Sequence, residues 1–171
     1  MATGGMVDRM VRAARLENAV YEEVEHDLGA TRQAVLVVVI TSIAAGIGAI
    51  FTFGPVGLIL FPIFSLIGWA IYAYLTYFIG TRLLAGPETS ADWGELARTL
   101  AFANSPRILL VFAIGPFLGA LIGLIVGIWV LVATIVALRA ALDFSTGRAI
   151  GTAILGWIAQ VFVLSLLYSF L

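Results

Sequence analysis

The chain contains no cysteine, no lysine and a single histidine, His26, and only 11% of its 171 residues are charged. Without thiols it forms no disulfide, no thiolate metal site and no cysteine nucleophile, and one imidazole builds no histidine cluster. A P-loop, a Gly-x-Ser-x-Gly elbow and an intramembrane Ser/His or paired-Asp arrangement are missing as well. His26 follows Glu22 by one helical turn, which reads as a solvated ion pair rather than a metal site. The sequence therefore predicts no catalytic residue, no metal and no cofactor, and reads as non-enzymatic.

What the chain has instead is hydrocarbon. Hydrophobic residues make up 62% of it and the mean hydropathy is +1.11, well above the roughly one-half apolar content of soluble domains. A spanning helix takes about 20 mostly apolar residues, so the chain beyond its N-terminal segment supplies four to six. The expectation is an all-α polytopic membrane helix bundle, with a cytoplasmic amphipathic segment at 1–32 and a transmembrane domain at 33–171.

Residues 1–30 form the one substantial polar stretch. Met6, Val7, Met10, Val11 and Ala14 recur at helical spacing, as do Val20, Tyr21, Val24 and Leu28, with charges between them. This predicts an amphipathic helix broken once near Asn18, a good N-cap that puts Glu22 and Glu23 near the first turn. The apolar run that follows is too long for a signal peptide and has no evident cleavage site, so the segment is expected to stay attached.

Five spans are expected. The first runs from Ala34 to Phe53 with Thr31 as a cap, and the Gly54-Pro55-Val56-Gly57 turn ends it. The second covers Gly57 to Leu84, long enough to tilt or to kink at Pro62. The third, Asp92 to Ala113, is interrupted by Arg98, Asn104, Ser105, Pro106 and Arg107. The fourth covers Pro116 to Leu142, and the fifth follows Ser145-Thr146 and continues to Leu171. Arginines flank the start of the first span and the second and fourth connections, whereas the first and third connections are uncharged. By the positive-inside rule the N-terminus is cytoplasmic, and five spans in the cell membrane place the C-terminus outside. A four-span alternative with 92–113 re-entrant would put Arg139 and Arg148 opposite the other arginines.

Within the spans, Gly115, Gly119, Gly123 and Gly127 repeat every four residues along one face of span four, and Ala44 with Gly48 and Gly147 with Gly151 are shorter versions. Such rows let backbones approach closely in lipid. Packing within one chain is the plainer reading and makes span four the packing centre; self-association or a partner helix is the other. Trp69, Trp129 and Trp157 lie mid-span, either filling the core with their indole N–H groups on backbone or lining a site for a hydrophobic ligand. Arg107, beside Asn104, is the one charge placed deep. It either faces a partner or cavity, or the helix begins late near Pro106 and Arg107 snorkels to the interface. At the fourth connection Asp143 is expected to pair with Arg139 or Arg148, with Ser145 or Thr146 capping the next helix.

The amphipathic stretch Arg9 to Leu16, the closely spaced spans, the segment Leu96 to Pro106 and the run Ala141 to Ile150 together resemble the bacterial branch of the Yip family of Ypt/Rab-interacting multi-pass membrane proteins. The resemblance covers nearly the whole chain and implies an adaptor that contacts membrane lipid and either a protein partner or a second copy, with no nucleic acid. Eukaryotic members bind small GTPases and carry an Asp-Leu-Tyr-Gly-Pro type motif. Here Asp27-Leu28-Gly29-Ala30 stands near that place without the Tyr and Pro, so GTPase binding does not transfer. The function expected is a membrane scaffold or accessory subunit, with a small transporter or handler of lipid and other hydrophobic ligands as the alternative.

Overall fold

The computed structural model describes residues 4–87, 89 and 91–169, and among them every regular element is helical. Two short helices, α1 (Met6–Ala14) and α2 (Asn18–His26), precede α3 (Ala30–Gly48), the single turn α4 (Ile50–Phe53) and α5 (Gly57–Phe78), which continues as a π-turn over Ile79–Leu83. After a loop come α6 (Trp93–Ala103), a 3₁₀ segment (Ser105–Phe112), α7 (Pro116–Leu142) and α8 (Thr146–Tyr168). The end of the expected fifth span at Leu171 lies outside the described residues.

Four stretches are long and apolar enough to cross a membrane: Ala30–Gly48, Gly57–Leu83, Pro116–Leu142 and Thr146–Leu166. The expected third span is a composite. Asp92 and Glu95 close a capping box, with Glu95 N donating to Asp92 Oδ1 at 2.9 Å and Asp92 N to Glu95 Oε2 at 2.7 Å, which starts α6 where the sequence places it. The helix tightens after Ala103, where Pro106 has no N–H for the α-helical ladder. At about 1.5 Å per α-helical and 2.0 Å per 3₁₀ residue, the composite has a contour of about 30 Å.

Contacts at its two ends show that it traverses the bundle. At the face that carries α1 and α2, here the proximal face, Arg98 in the second turn of α6 donates from Nε to the Val24 carbonyl of α2 at 2.9 Å. At the distal face Gly48, the last residue of α3, lies against the Leu110 carbonyl. The chain thus has four helices long and apolar enough to cross a membrane, and the broken composite runs beside them from the proximal to the distal end of the bundle.

The packing centre is α6, not α7. Every residue from Leu96 to Ala103 is buried, because α1, α2, α3, α5 and α7 all pack around this one helix. In lipid, such packing rests on close van der Waals contact, and its tightest points include Gly156, outside the expected rows, and Gly48 of the expected Ala44–Gly48 pair. A Cβ at Gly156 would sit 2.7 Å from Thr76 Cγ2 and 3.2 Å from Tyr72 Cε2, and one at Gly48 would collide with the Leu110 carbonyl. In the expected row, Gly115 is the turn residue before α7, with φ +76°, and a Cβ at Gly123 or Gly127 would meet nothing within 4 Å. Gly147 is equally open, and Gly151 makes only an ordinary 3.5 Å approach to Leu84. Spacing places four of these glycines on one face, but of the four only Gly119 is closely approached, with a Cβ there 3.0 Å from the Ala113 carbonyl oxygen just beyond the 3₁₀ segment.

Candidate functional site: a clamped N-terminal module and an arginine between two cavities

The polar N-terminus is docked onto the bundle. The break falls at Arg15–Glu17, with Leu16 at φ 62°, so Asn18 is the first residue of α2 and Glu17 occupies the cap position. Val20, Tyr21 and Val24 are buried as expected, whereas Val7, Val11 and Leu28 are exposed. The face of α1 that turns inward carries Met10, Ala13 and, fully buried, Arg9. Arg9 uses all three of its nitrogens: Nε donates to Glu23 Oε1 at 2.9 Å, one terminal nitrogen to Asp27 Oδ2 at 2.7 Å, and the other to Gln33 Oε1 at 3.1 Å. One guanidinium therefore joins α1, α2, the α2–α3 turn and α3. Arg12 extends the network to Glu23 at 2.8 Å, Glu17 at 3.3 Å and Asp8 at 3.5 Å.

The electrostatics follow from this pairing. Burial works against the Arg9 charge, but its bonds to Asp27 and Glu23 outweigh that cost and hold its pKa above the ordinary arginine value. Burial likewise tends to raise the Glu23 carboxyl, yet Arg12 and Arg9 leave it below the usual range, and Arg9 lowers Asp27.

The carbonyls near the C-terminal ends of α1 and α2 are met by side chains from α2 itself and from the bundle. Tyr21 Oη donates to Ala13 O at 3.0 Å and Trp129 Nε1 to Ala14 O at 2.8 Å. Arg98, only 4% exposed, donates from Nε to Val24 O at 2.9 Å and from a terminal nitrogen to Glu25 O. Glu25 itself is buried with no basic side chain bonded to its carboxyl, and burial raises its pKa to about 7.

Two other expectations are corrected here. His26 Nδ1 approaches the Glu22 carbonyl at 2.9 Å rather than its carboxylate. Asp143, Arg139 and Arg148 are all exposed and form no ion pair among the described residues. The corner is held instead by the left-handed conformation of Asp143 (φ 49°), by Phe144 N donating to Arg139 O at 3.1 Å, and by burial of the Phe144 ring. Arg148 turns away to lie against Gly86.

Arg107 lies on the 3₁₀ segment, well past the start of α6 at Trp93, so the late-starting helix and snorkelling arginine are not what forms. It lines two cavities of the bundle. The smaller, ≈ 400 Å³, sits at the distal end between α3, α5, the 3₁₀ segment and the start of α7. The larger, ≈ 810 Å³, extends toward the middle between α5, α7 and α8. Phe61 and Ser65 also border both. Arg107 donates to Asn104 Oδ1 at 3.3 Å, and Asn104 is held by donating from Nδ2 to Leu100 O at 2.8 Å.

Of the other polar groups facing the larger cavity, Trp69 Nε1 donates to Ala97 O at 2.9 Å, Gln160 Nε2 to Gly68 O at 2.7 Å, and Tyr72 Oη to Ala153 O at 3.2 Å. Trp69 and Trp129 thus follow the core reading of the mid-span tryptophans. Trp157, 62% exposed on the cavity wall, does not. Asn104 and Arg107 are brought together as the sequence places them, while Arg139, Asp143 and Arg148 stay apart at the proximal face. Sequence reasoning missed Arg9 and Arg98. The signal for Arg9 is its i, i+3 pairing with Arg12 against Glu23 and Asp27 one turn apart on the next helix.

In comparison with known proteins, a family model described as the Yip1 domain matches residues 18–167, which takes in every described helix from α2 to α8 but the last residue of α8. No curated protein and no solved structure matches the chain.

Proposed function

The chain belongs to the Yip1 domain family and is a multi-pass membrane protein, and from that premise we propose that it acts as a non-enzymatic scaffold or accessory subunit. The observation that carries this reading is the Arg9 clamp. A buried, three-way charge network is a poor source of net stability but an effective way to specify one arrangement, and here it fixes a charged helical pair onto membrane helices. A protein that engages the exposed Arg15, Glu22 or His26 would be held in a set orientation to the bilayer.

The proximal face is read as cytoplasmic. Arg9, Arg12, Arg15, Arg32, Arg82, Arg98, Arg139 and Arg148 all sit toward it, leaving Arg107 as the one arginine on the distal half. The test is a pull-down in mild detergent with mass spectrometry. Stoichiometric recovery of one protein with the native chain, lost in an Arg15→Glu/Glu22→Arg variant whose thermal unfolding is unchanged, supports the scaffold. Recovery unaffected by that variant removes the module as the working face.

The two cavities at Arg107 favour a second reading, a handler of lipid or another hydrophobic ligand. Protein-dependent transfer of a labelled lipid between liposomes would support it, and a rate equal to that of empty liposomes would count against it.

A further inference from the structure

We propose that the two cavities meeting at Arg107 form one binding site for an anionic lipid of the distal leaflet, with its charged group on the Arg107 guanidinium and a hydrocarbon chain in the larger chamber. This deepens the second reading above: a lipid bound but never transferred would leave the site standing and remove only the handling role.

The first argument is charge. A guanidinium at membrane depth is costly unless a counter-charge or several acceptors face it, and within the described residues Arg107 donates to one neutral partner, Asn104. Among the described residues no acid lies at that depth. All ten acidic residues fall at 8–27, 88–95 or 143, and the described ones lie in the N-terminal module or at the connections of the proximal face. Arg107 lies five residues before the distal end of the 3₁₀ segment, about 10 Å along it. A counter-charge must therefore come from outside the chain, and a planar guanidinium is suited to a phosphate or carboxylate group.

The second argument is shape. The chambers, ≈ 400 and ≈ 810 Å³, fall in the range of about 300–1,000 Å³ typical of small-molecule sites. The smaller chamber reaches the distal ends of the helices through Ala49, Thr52 and Pro116, the level of a headgroup. The larger chamber runs toward the middle and is walled by Phe64, Trp69, Leu131 and Trp157. Trp69, Tyr72 and Gln160 donate to backbone carbonyls, so apart from Ser65, Thr134 and the rest of the Gln160 amide this wall presents mostly hydrocarbon. Leu131 of α7 and Trp157 of α8 are 51% and 62% exposed on the two sides of the chamber, so it opens sideways, where a bilayer lipid enters and a free aqueous anion does not.

The third argument is the glycine row. Gly115 and Gly119 line the smaller chamber and Gly127 the larger, and a Cβ at Gly127 would project into open space. The side-chain-free face of α7 leaves room for a chain that is not a helix.

The test uses the full chain in nanodiscs, probed by native mass spectrometry and thermal unfolding with phosphatidylglycerol, with phosphatidylcholine, and with inorganic phosphate alone. The expected result is one phosphatidylglycerol retained per chain and a raised unfolding temperature, with retention lowered roughly tenfold or more by Arg107→Gln and partly restored by Arg107→Lys. Phosphate alone should produce no shift. If Arg107→Gln fails to fold, Gly127→Leu provides the second arm, filling the chamber and displacing the lipid while Arg107 stays in place. Equal retention of phosphatidylcholine, a shift with phosphate equal to that with phosphatidylglycerol, or unchanged retention in Gly127→Leu would each overturn the proposal.

Discussion

Replacing Arg9 with Met removes a guanidinium and leaves a side chain of similar length for the same buried volume. Three charge-assisted hydrogen bonds disappear, at 2.9, 2.7 and 3.1 Å, and bonds to charged groups contribute about 1.5–3 kcal/mol each. The simple sum overstates the loss, because none of the acceptors is stranded. Glu23 keeps Arg12 at 2.8 Å, Asp27 keeps the Gly29 N–H at 2.8 Å, both carboxylates have access to water, and Gln33, the third acceptor, is partly exposed. The cost should therefore lie below the roughly 3–5 kcal/mol of a broken, fully buried pair, at about 2–3 kcal/mol. Arg9→Lys retains the charge but has no fork to reach three acceptors on separate elements, and should lose somewhat less.

The loss should be local as well as global. In detergent, hydrogen exchange of residues 6–26 should accelerate strongly, while amides of α6 beyond Ala101, buried in the bundle centre, should change little. A double variant, Arg9→Met with Asp27→Asn, should cost less than the sum of the two single changes, since both remove the same contact. Unchanged exchange in residues 6–26 of Arg9→Met, or strict additivity in the double variant, would refute the clamp.

Glycine substitutions should separate the true packing points from the open row. Gly156→Leu should destabilise the purified chain by about 1–3 kcal/mol through overpacking against Thr76 and Tyr72, whereas Gly123→Leu should leave thermal unfolding of the isolated chain unchanged. The reverse order would mean that α7 packs as its spacing first suggests. A pH series should show the effect of Glu25. Its folded pKa of about 7 lies above the model-compound value of 4.5, so the folded state holds the extra proton between these values. Stability should then be greatest near the lower value, fall as pH rises toward 7 and level off above it. His26, also raised, acts in the same direction, while Glu23 and Asp27 act oppositely and at lower pH. The decisive quantity is the difference between the native chain and Glu25→Gln, which should change between about pH 5 and 7. A difference that is flat across this window would contradict the burial of Glu25.

Much of this architecture is written locally. The bounds of α7 coincide with the apolar run Pro116–Leu142, Asp92 starts α6 through a capping box with Glu95, and the N-terminal break lies within a few residues of Asn18. These features depend on composition and on neighbours three or four residues away. What the local pattern does not carry is what a helix face meets. Periodicity put Gly115 to Gly127 on one side of α7 but could not say that the side faces cavities, and it counted Arg9 and Arg98 as polar interruptions because their partners come from other helices. Thr31, Arg32 and Gln33 read as flanking residues, yet they belong to α3, and Gln33 accepts from Arg9. The third pass is broken because Asn104 and Pro106 interrupt a helix that is otherwise buried on all sides. Its depth was legible only as two alternatives for Arg107.

The absence of cysteine from the sequence makes the central claim, five passes with the clamped module on the cytoplasmic face, directly measurable. Single cysteines at Gly5, Val56, Ile114 and Ser145 sample both faces, and all four positions are exposed. A membrane-impermeant thiol reagent applied to intact cells should label Val56→Cys and Ile114→Cys and spare Gly5→Cys and Ser145→Cys, with the pattern reversed in inside-out vesicles. Labelling of Val56→Cys and Ser145→Cys in intact cells, with Gly5→Cys and Ile114→Cys spared, would show that residues 93–112 do not cross the membrane and would contradict the account.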